Sequence, residues 1–213
     1  MIITYDDDMR IVIFGAGGRT GAQLVSQALA RGDEVTAVVR RPTELAAGAT
    51  ERIVPDLADT AAVRAAIGEA DAVLSAIGPR KRADAPVAAP ATRHILAAAP
   101  RRIVVISAAP VDPPPADDSF ISRRIALPIV GRALRPVYDD LREMEEALAA
   151  SDAVWTALRP PMLTNGPATG RYRTRVGGAV PRGFTVSRAD LAAAMLESLG
   201  RPDTERQAVG VAG

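Results

Sequence analysis

Residues 10–21 read RIVIFGAGGRTG, from Arg10 to Gly21. Ile11 to Phe14 make a short apolar run of strand length, and the run stops at Gly15. Gly15, Gly18 and Gly21 then stand three apart, with Gly17 as an extra glycine between them. That spacing has a physical reason. Gly15 permits a tight turn from strand to helix, Gly17 or Gly18 lets bare backbone amides approach a pyrophosphate, and Gly21 allows the helix to lie close on the sheet. Arg19 and Thr20 sit inside the same turn and enter the candidate cradle with the glycines. The pattern is GxxGxxG rather than the strict GxGxxG fingerprint, because position 20 is threonine.

Working outward, a helix is expected over 20–31. Leu24, Val25, Ala28 and Leu29 share one of its faces, and Gly32 serves as a C-cap. A second strand follows over 34–40. Strand, glycine turn, helix and strand thus fall within about thirty residues, the context that a dinucleotide-binding turn requires. At the end of the second strand a carboxylate would bind the ribose 2′-hydroxyl of NAD, whereas an arginine suits the 2′-phosphate of NADP. The chain places Arg40 and Arg41 there. A guanidinium matches phosphate geometry, so NADP(H) is expected in preference to NAD(H). Asp56 and Leu57, after a third strand over 52–54, would flank the adenine. Ala76, Ile77 and Gly78, closing a fourth strand over 71–78, would pass beside the adenosine half and the phosphates.

The remaining chain repeats the alternation of Val/Ile-rich runs with Ala-rich stretches of helical period, the signature of parallel strands covered on both faces. Helices are expected over 59–67, over 84–99 with Pro86 and Pro90 near its start, and over 120–134, 137–150 and 187–199. Further strands are expected over 102–107, 153–159 and 207–211. The Pro-rich segment 109–119 reads as a surface loop beside the end of the fifth strand. In the segment RYRTR, Arg171, Arg173 and Arg175 alternate with Tyr172 and Thr174 and suggest a solvated edge. The whole predicts an α/β, doubly wound, mostly parallel Rossmann fold in a single domain. Residues 1–8 precede it as an ordered extension, a tail or an over-long start, and 109–136 and 160–186 are substrate-side insertions.

Composition narrows the chemistry. The 213 residues include no cysteine, so thiolate metal sites, disulfides and cysteine nucleophiles are excluded. His94 is the only histidine, which rules out a His-pair metal site, and its TRHIL setting reads as a helix-surface or packing residue. Of the 26 basic residues only Lys81 is a lysine. A net charge of +1 with interleaved signs offers no case for nucleic acid or an anionic membrane. No apolar run suggests a membrane span or a secretory signal, and a cytoplasmic protein is expected. The Glu143, Glu145, Glu146 cluster reads as a polar helix face, and Trp155 as core or interface.

These features resemble the atypical short-chain dehydrogenases that include biliverdin-IXβ/flavin reductase and the NmrA-like NAD(P)H-binding proteins. The markers are IVIFGAGGRTG with the arginine closing strand two, IVPDLAD, DAVLSAIG, RIVVIS, RPVYDDLREMEEAL and ALRPPMLTNGPATGRYR. The resemblance implies that Pro160, Pro161, Met162 and Leu163 pass by the nicotinamide. It also implies that Ser107 lies near the nicotinamide and the substrate carbonyl, with the 109–119 loop bordering the pocket.

One departure bears on mechanism. Ordinary short-chain dehydrogenases use a Tyr-x-x-x-Lys pair in which lysine lowers the tyrosine pKa. Here Tyr138 is followed four residues on by Arg142. The expectation is therefore a reductase that passes hydride to a small conjugated acceptor such as a flavin, quinone or related carbonyl compound. Ser107 and Tyr138 are its candidate catalytic residues, Tyr138 to orient or protonate the acceptor. The alternative is a non-catalytic, NmrA-like sensor of dinucleotide redox state, and a third reading is acid–base dehydrogenation by Tyr138 and Arg142.

Overall fold

A computed structural model describes residues 8–79, 81, 84, 86–111 and 134–213. Strand β1 (Arg10–Phe14) alternates its side chains between two layers: Ile11 and Ile13 face one apolar cluster, Val12 and Phe14 the other. Helix α1 (Arg19–Ala30) follows, then β2 (Glu34–Val39), β3 (Thr50–Ile53), α2 (Thr60–Ile67) and β4 (Ala72–Ser75). Helix α3 (Ala88–Ala97), β5 (Arg102–Ile106), α4 (Arg135–Ala149) and β6 (Val154–Arg159) complete the parallel repeats. The C-terminal part adds β7 (Met162–Thr164), β8 (Arg173–Val176), β9 (Thr185–Ser187), α5 (Arg188–Ser198) and β10 (Gln207–Ala212).

The main sheet has the order β3-β2-β1-β4-β5-β6-β10-β8, parallel throughout except for the last pair, β10 with β8. One layer packs α2, α3 and α4 on the sheet, and the other packs α1 and α5. The strand order reverses between β1 and β4. In open α/β sheets ligands bind at the carboxyl ends of the strands beside such a reversal, and here the glycine turn leaves β1 at that point.

Several boundaries differ from expectation for physical reasons. Helix α3 starts at Ala88 rather than 84, which puts Pro90 in its first turn, where a missing N–H costs no hydrogen bond. The neighbouring amides of Val87, Ala88 and Ala89 all donate to the buried Asp140 carboxylate of α4 at 2.8 Å. Strand β3 begins two residues early, at Thr50, and β4 ends at Ser75, so that Ala76 to Gly78 lie beyond the strand without regular structure. Strand β5 ends at Ile106, leaving Ser107 just beyond it. Helix α4 takes Pro136 into its first turn. The short parallel pair β7 and β9 was not foreseen, because three-residue strands carry too little periodicity. Val111 ends a single 3-10 turn that begins at Ala109. The rest of the predicted loop, and the helix predicted over 120–134, lie outside the described residues apart from Leu134. As expected, Arg171, Arg173 and Arg175 are exposed and Tyr172 and Thr174 are half-buried along the edge at β8.

Candidate functional site

At the β1–α1 turn the glycines fill distinct steric roles. Gly15 has φ +77, and a Cβ there would lie 2.9 Å from the Ala76 carbonyl carbon, so the turn packs directly on the backbone leaving β4. A Cβ on Gly21 would stand 2.1 Å from the Gly15 oxygen, which is how closely α1 is laid on its own turn. The Gly18 amide donates to Gly15 O at 2.9 Å, and Gly18 caps α1. No side chain caps this helix and no acid occupies its first turn. Helix geometry leaves the amides of Arg19, Thr20 and Gly21 without intrahelical acceptors, a bare donor set with partial positive charge. Arg19 is exposed and Thr20 buried.

The segment after β2 folds over this turn. A Cβ on Gly17 would lie 3.2 Å from the Thr43 methyl, and the Thr43 hydroxyl donates to Arg41 O at 2.9 Å. Arg40 and Arg41 are thereby held beside the glycine turn, and both are exposed. Among the described residues neither guanidinium forms an ion pair. Asp56 is exposed and accepts from the Ala58 amide at 2.9 Å, while Leu57 packs on the core. Ala76 and Ile77 are half-buried and Gly78 is exposed. A glycine cradle that a side chain would fill, an uncapped helix start and two unpaired guanidiniums fit an anionic dinucleotide.

At the carboxyl ends of β5 and β6 stands a second constellation. The Ser107 hydroxyl donates to Glu145 Oε1 at 2.5 Å. Arg159, the last residue of β6, donates from Nε to the same oxygen at 2.9 Å and from Nη2 to Glu145 Oε2. The ion pair is enclosed, with side-chain exposures of 8% for Arg159 and 12% for Glu145. Burial pushes the Glu145 carboxyl up and the Ser107 hydrogen bond pulls it back; burial pushes Arg159 down. The polar-face reading of the glutamate cluster is corrected here for Glu145, which turns inward while Glu143 and Glu146 remain exposed. Neither Glu145 nor Arg159 was singled out in the sequence. The signal that could have found them is an acid in α4 whose helical position lies between those of core residues Leu141, Met144 and Leu148.

Tyr138 lies on the same helix, seven residues before Glu145, so helix rise separates them by about 10 Å along the axis. Its ring is buried in the core cluster, and that burial pushes its phenol up. Arg142 donates to Asp139 at 2.6 Å and to Val111 O at 3.3 Å. Its guanidinium is therefore committed to those oxygens, and the Tyr138–Arg142 partnership that the third reading requires is not the bonding seen. Ser107 meets Glu145, not Tyr138.

Pro160 is buried, and its carbonyl accepts from Ala109 at 2.9 Å, tying the Pro-Pro stretch to the segment after Ser107. Pro161 and Leu163 are half-buried, whereas Met162 is 66% exposed, and its amide donates to the carbonyl of the equally open Phe184. The connection that follows is pinned by Asp190, which accepts from the amides of Thr169 and Gly170 and from the hydroxyls of Thr169 and Ser187. Sequence reasoning passed over this residue too. His94 is half-buried in α3, away from both constellations.

Among the described residues no group of histidine, cysteine or acidic side chains could hold a metal ion, and no helix is long and apolar enough to cross a membrane. Solved structures with the same fold include a candidate exported protein from Burkholderia pseudomallei (25% identity, 96% of this chain and 100% of that one, TM-score 0.81). A candidate NADH-flavin reductase from Streptococcus pneumoniae TIGR4 matches at 20% identity over 96% of this chain and 99% of that one, TM-score 0.79. ChuY, an anaerobillin reductase from Escherichia coli O157:H7, matches at 24% identity over 95% and 96%, TM-score 0.72. Residues 15–202, which run from the first glycine of the turn to the segment before β10, match the model of the NAD(P)H-binding family, and the protein belongs to that family.

Proposed function

We propose that this protein is an NADPH-dependent reductase that passes hydride to a small conjugated acceptor, a flavin, quinone or related carbonyl compound. The observation that carries the reading is the pair of exposed, unpaired guanidiniums, Arg40 and Arg41, held beside the uncapped start of α1 through Thr43. A buried or acid-paired arginine would have its N–H donors out of reach or already committed; those of Arg40 and Arg41 are open to a 2′-phosphate. When bound, the cofactor supplies a hydride from C4 of its reduced ring.

The chain's own part is binding and orientation. Backbone amides of Gly17 and of Arg19, Thr20 and Gly21 hold the diphosphate, with Gly15 and Gly18 shaping the turn. Asp56 and Leu57 flank the adenine, and Ala76, Ile77 and Gly78 line the adenosine half. Pro160, Pro161, Met162 and Leu163 run along the nicotinamide, and Ser107 fixes its position. The exposed Met162 offers an apolar surface to a planar acceptor. Tyr138 is assigned an orienting contact rather than proton transfer, because burial pushes its phenol up and makes it a weaker acid. Arg142 is engaged elsewhere, so acid–base alcohol dehydrogenation loses its activating partner. We place the reaction in the cytoplasm, with a small molecule rather than nucleic acid or membrane as its partner.

Calorimetry with NADPH and NADH, followed by single-turnover oxidation of bound NADPH against a panel of flavins, quinones and tetrapyrroles, tests the reading. NADPH should bind at least about tenfold tighter than NADH, and the Arg40→Ala/Arg41→Ala double variant should erase that margin. Tight NADPH binding with no oxidation by any acceptor would transfer the reading to a redox sensor. Equal affinity for both dinucleotides would remove the NADPH assignment.

A further inference from the structure

The Ser107, Glu145 and Arg159 constellation says something about the direction in which Ser107 can bond. A serine hydroxyl has one hydrogen and two lone pairs. An ionised carboxylate only accepts; burial works against the ionised form of Glu145, but a guanidinium has donors only, and Arg159 places one on each carboxylate oxygen, which favours it. The hydrogen between Ser107 Oγ and Glu145 Oε1, 2.5 Å apart, therefore belongs to Ser107 and is already spent. What remains on Ser107 is lone pairs.

We infer that Glu145, locked by Arg159, is a positioning residue that fixes Ser107 as a hydrogen-bond acceptor toward the cofactor, taking a hydrogen from the nicotinamide carboxamide NH2. This rests on the proposed placement of Ser107 beside the nicotinamide. Ser107 stands one residue past β5, at the strand edge where open parallel sheets gather ligands, and it is buried, so a bond made there is shielded from water. A substrate carbonyl at the same place would meet lone pairs and be repelled. Ser107 accordingly contributes to cofactor orientation and donates no proton to the acceptor. The acceptor is thus one that takes hydride at a conjugated atom and draws its proton from solvent.

The experiment uses the full chain and two oxidised dinucleotides, NADP and its 3-acetylpyridine analogue, in which the carboxamide NH2 is replaced by a methyl group and the donor is lost. Kd is read by calorimetry. The wild-type protein should prefer NADP by about tenfold, the worth of one buried hydrogen bond. Ser107→Ala should bind both with the same Kd within about twofold. Glu145→Gln should do the same, because its amide group can donate to Ser107 and turn the serine hydrogen toward the cofactor. Should Glu145→Gln fail to fold, Glu145→Asp keeps a charge on Arg159 while withdrawing the carboxylate from Ser107, and it too should lose the preference. A merely structural Glu145 would lower the melting temperature without touching the ratio of the two Kd values. Equal binding of both dinucleotides by the wild type, or a preference that survives in the Ser107 or Glu145 variants, overturns the inference. Failure of both dinucleotides to bind at all overturns the proposed function instead.

Discussion

At the scale of single residues, the glycine turn shows how much one missing methyl can decide. Alanine is favoured over glycine inside a helix by about 1 kcal/mol, so Gly21→Ala would stabilise α1 if space were the only neutral factor. Space is not neutral, since the added methyl would stand 2.1 Å from the Gly15 oxygen. Neither partner can yield cheaply, because one is helix backbone and the other belongs to a turn with φ +77 packed on Ala76. Steric overlap should therefore outweigh propensity. We expect Gly21→Ala to lower unfolding free energy by roughly 2 kcal/mol or more in urea titrations, and to weaken NADPH binding as the turn is pushed off β4. A neutral or stabilising result would mean that the close approach is not what fixes the turn. Gly15 and Gly21 were legible from their spacing because a local motif carries them. Glu145 was not: the sequence puts three glutamates within four residues of one helix, and only the docking of α4 on β5 and β6 selects which one turns inward.

At the scale of elements, two carboxylates do work that no nearby sequence advertises. Asp140 joins α4 to the start of α3 by accepting three amide hydrogens, and Pro90 removes the next donor that would need a partner. Asp140→Ala leaves those donors buried without acceptors and should cost about 3 kcal/mol or more, read as a lowered urea midpoint. Asp140→Asn keeps one oxygen and should cost less, an ordering that separates hydrogen bonding from mere packing. Asp190 has the corresponding role for the 165–170 connection and for α5, whose N-cap Ser187 it also engages. Burial pushes its carboxyl up, but the amides of Thr169 and Gly170 and the hydroxyls of Ser187 and Thr169 outweigh that and hold it below 3.8. A depressed folded value means the unfolded chain binds the proton more tightly. The stability from Asp190 is therefore fully present above the ordinary carboxylate value and is lost as pH falls through the lower, folded one. Asp190→Asn should flatten the acid limb of the stability curve below the ordinary carboxylate value and lower the plateau above it. A variant curve parallel to the wild type down to pH 2 would count against this role. Element type and order were readable from hydrophobic period, whereas the amides these two carboxylates accept lie 20 to 53 residues away, beyond any local pattern.

At the scale of the whole molecule, the sheet order follows from simple constraints. Right-handed crossovers and helices on both faces leave few ways to arrange six parallel strands, and Val/Ile runs separated by helical stretches already imply them. Strand β10 joins the same scheme, parallel beside β6 after α5, but β8 turns back antiparallel and the tiny β7–β9 pair is specified by its neighbours alone. The end of the sheet away from the glycine turn is held by the buried Arg102, which donates to Thr156 and to Ser198 O at the end of α5, where its charge complements the helix dipole. Such a molecule has its ligand-gathering turn at the seam between β1 and β4, the middle of its cooperative core, so dinucleotide binding should be felt by global unfolding. A ligand at one hundred times its Kd adds about 2.7 kcal/mol to a folded state that alone binds it. For a chain of 213 residues, each kcal/mol moves the melting temperature by about 2 to 4 °C. Saturating NADPH should therefore raise Tm by roughly 5 to 11 °C. NADH at the same concentration should raise it by several degrees less, and in the Arg40→Ala/Arg41→Ala variant the NADPH shift should fall to the NADH value. Scanning fluorimetry reads all three. Equal shifts for the two dinucleotides in the wild type would mean that the guanidiniums beside the glycine turn make no contact with the 2′-phosphate, whatever else the cradle holds.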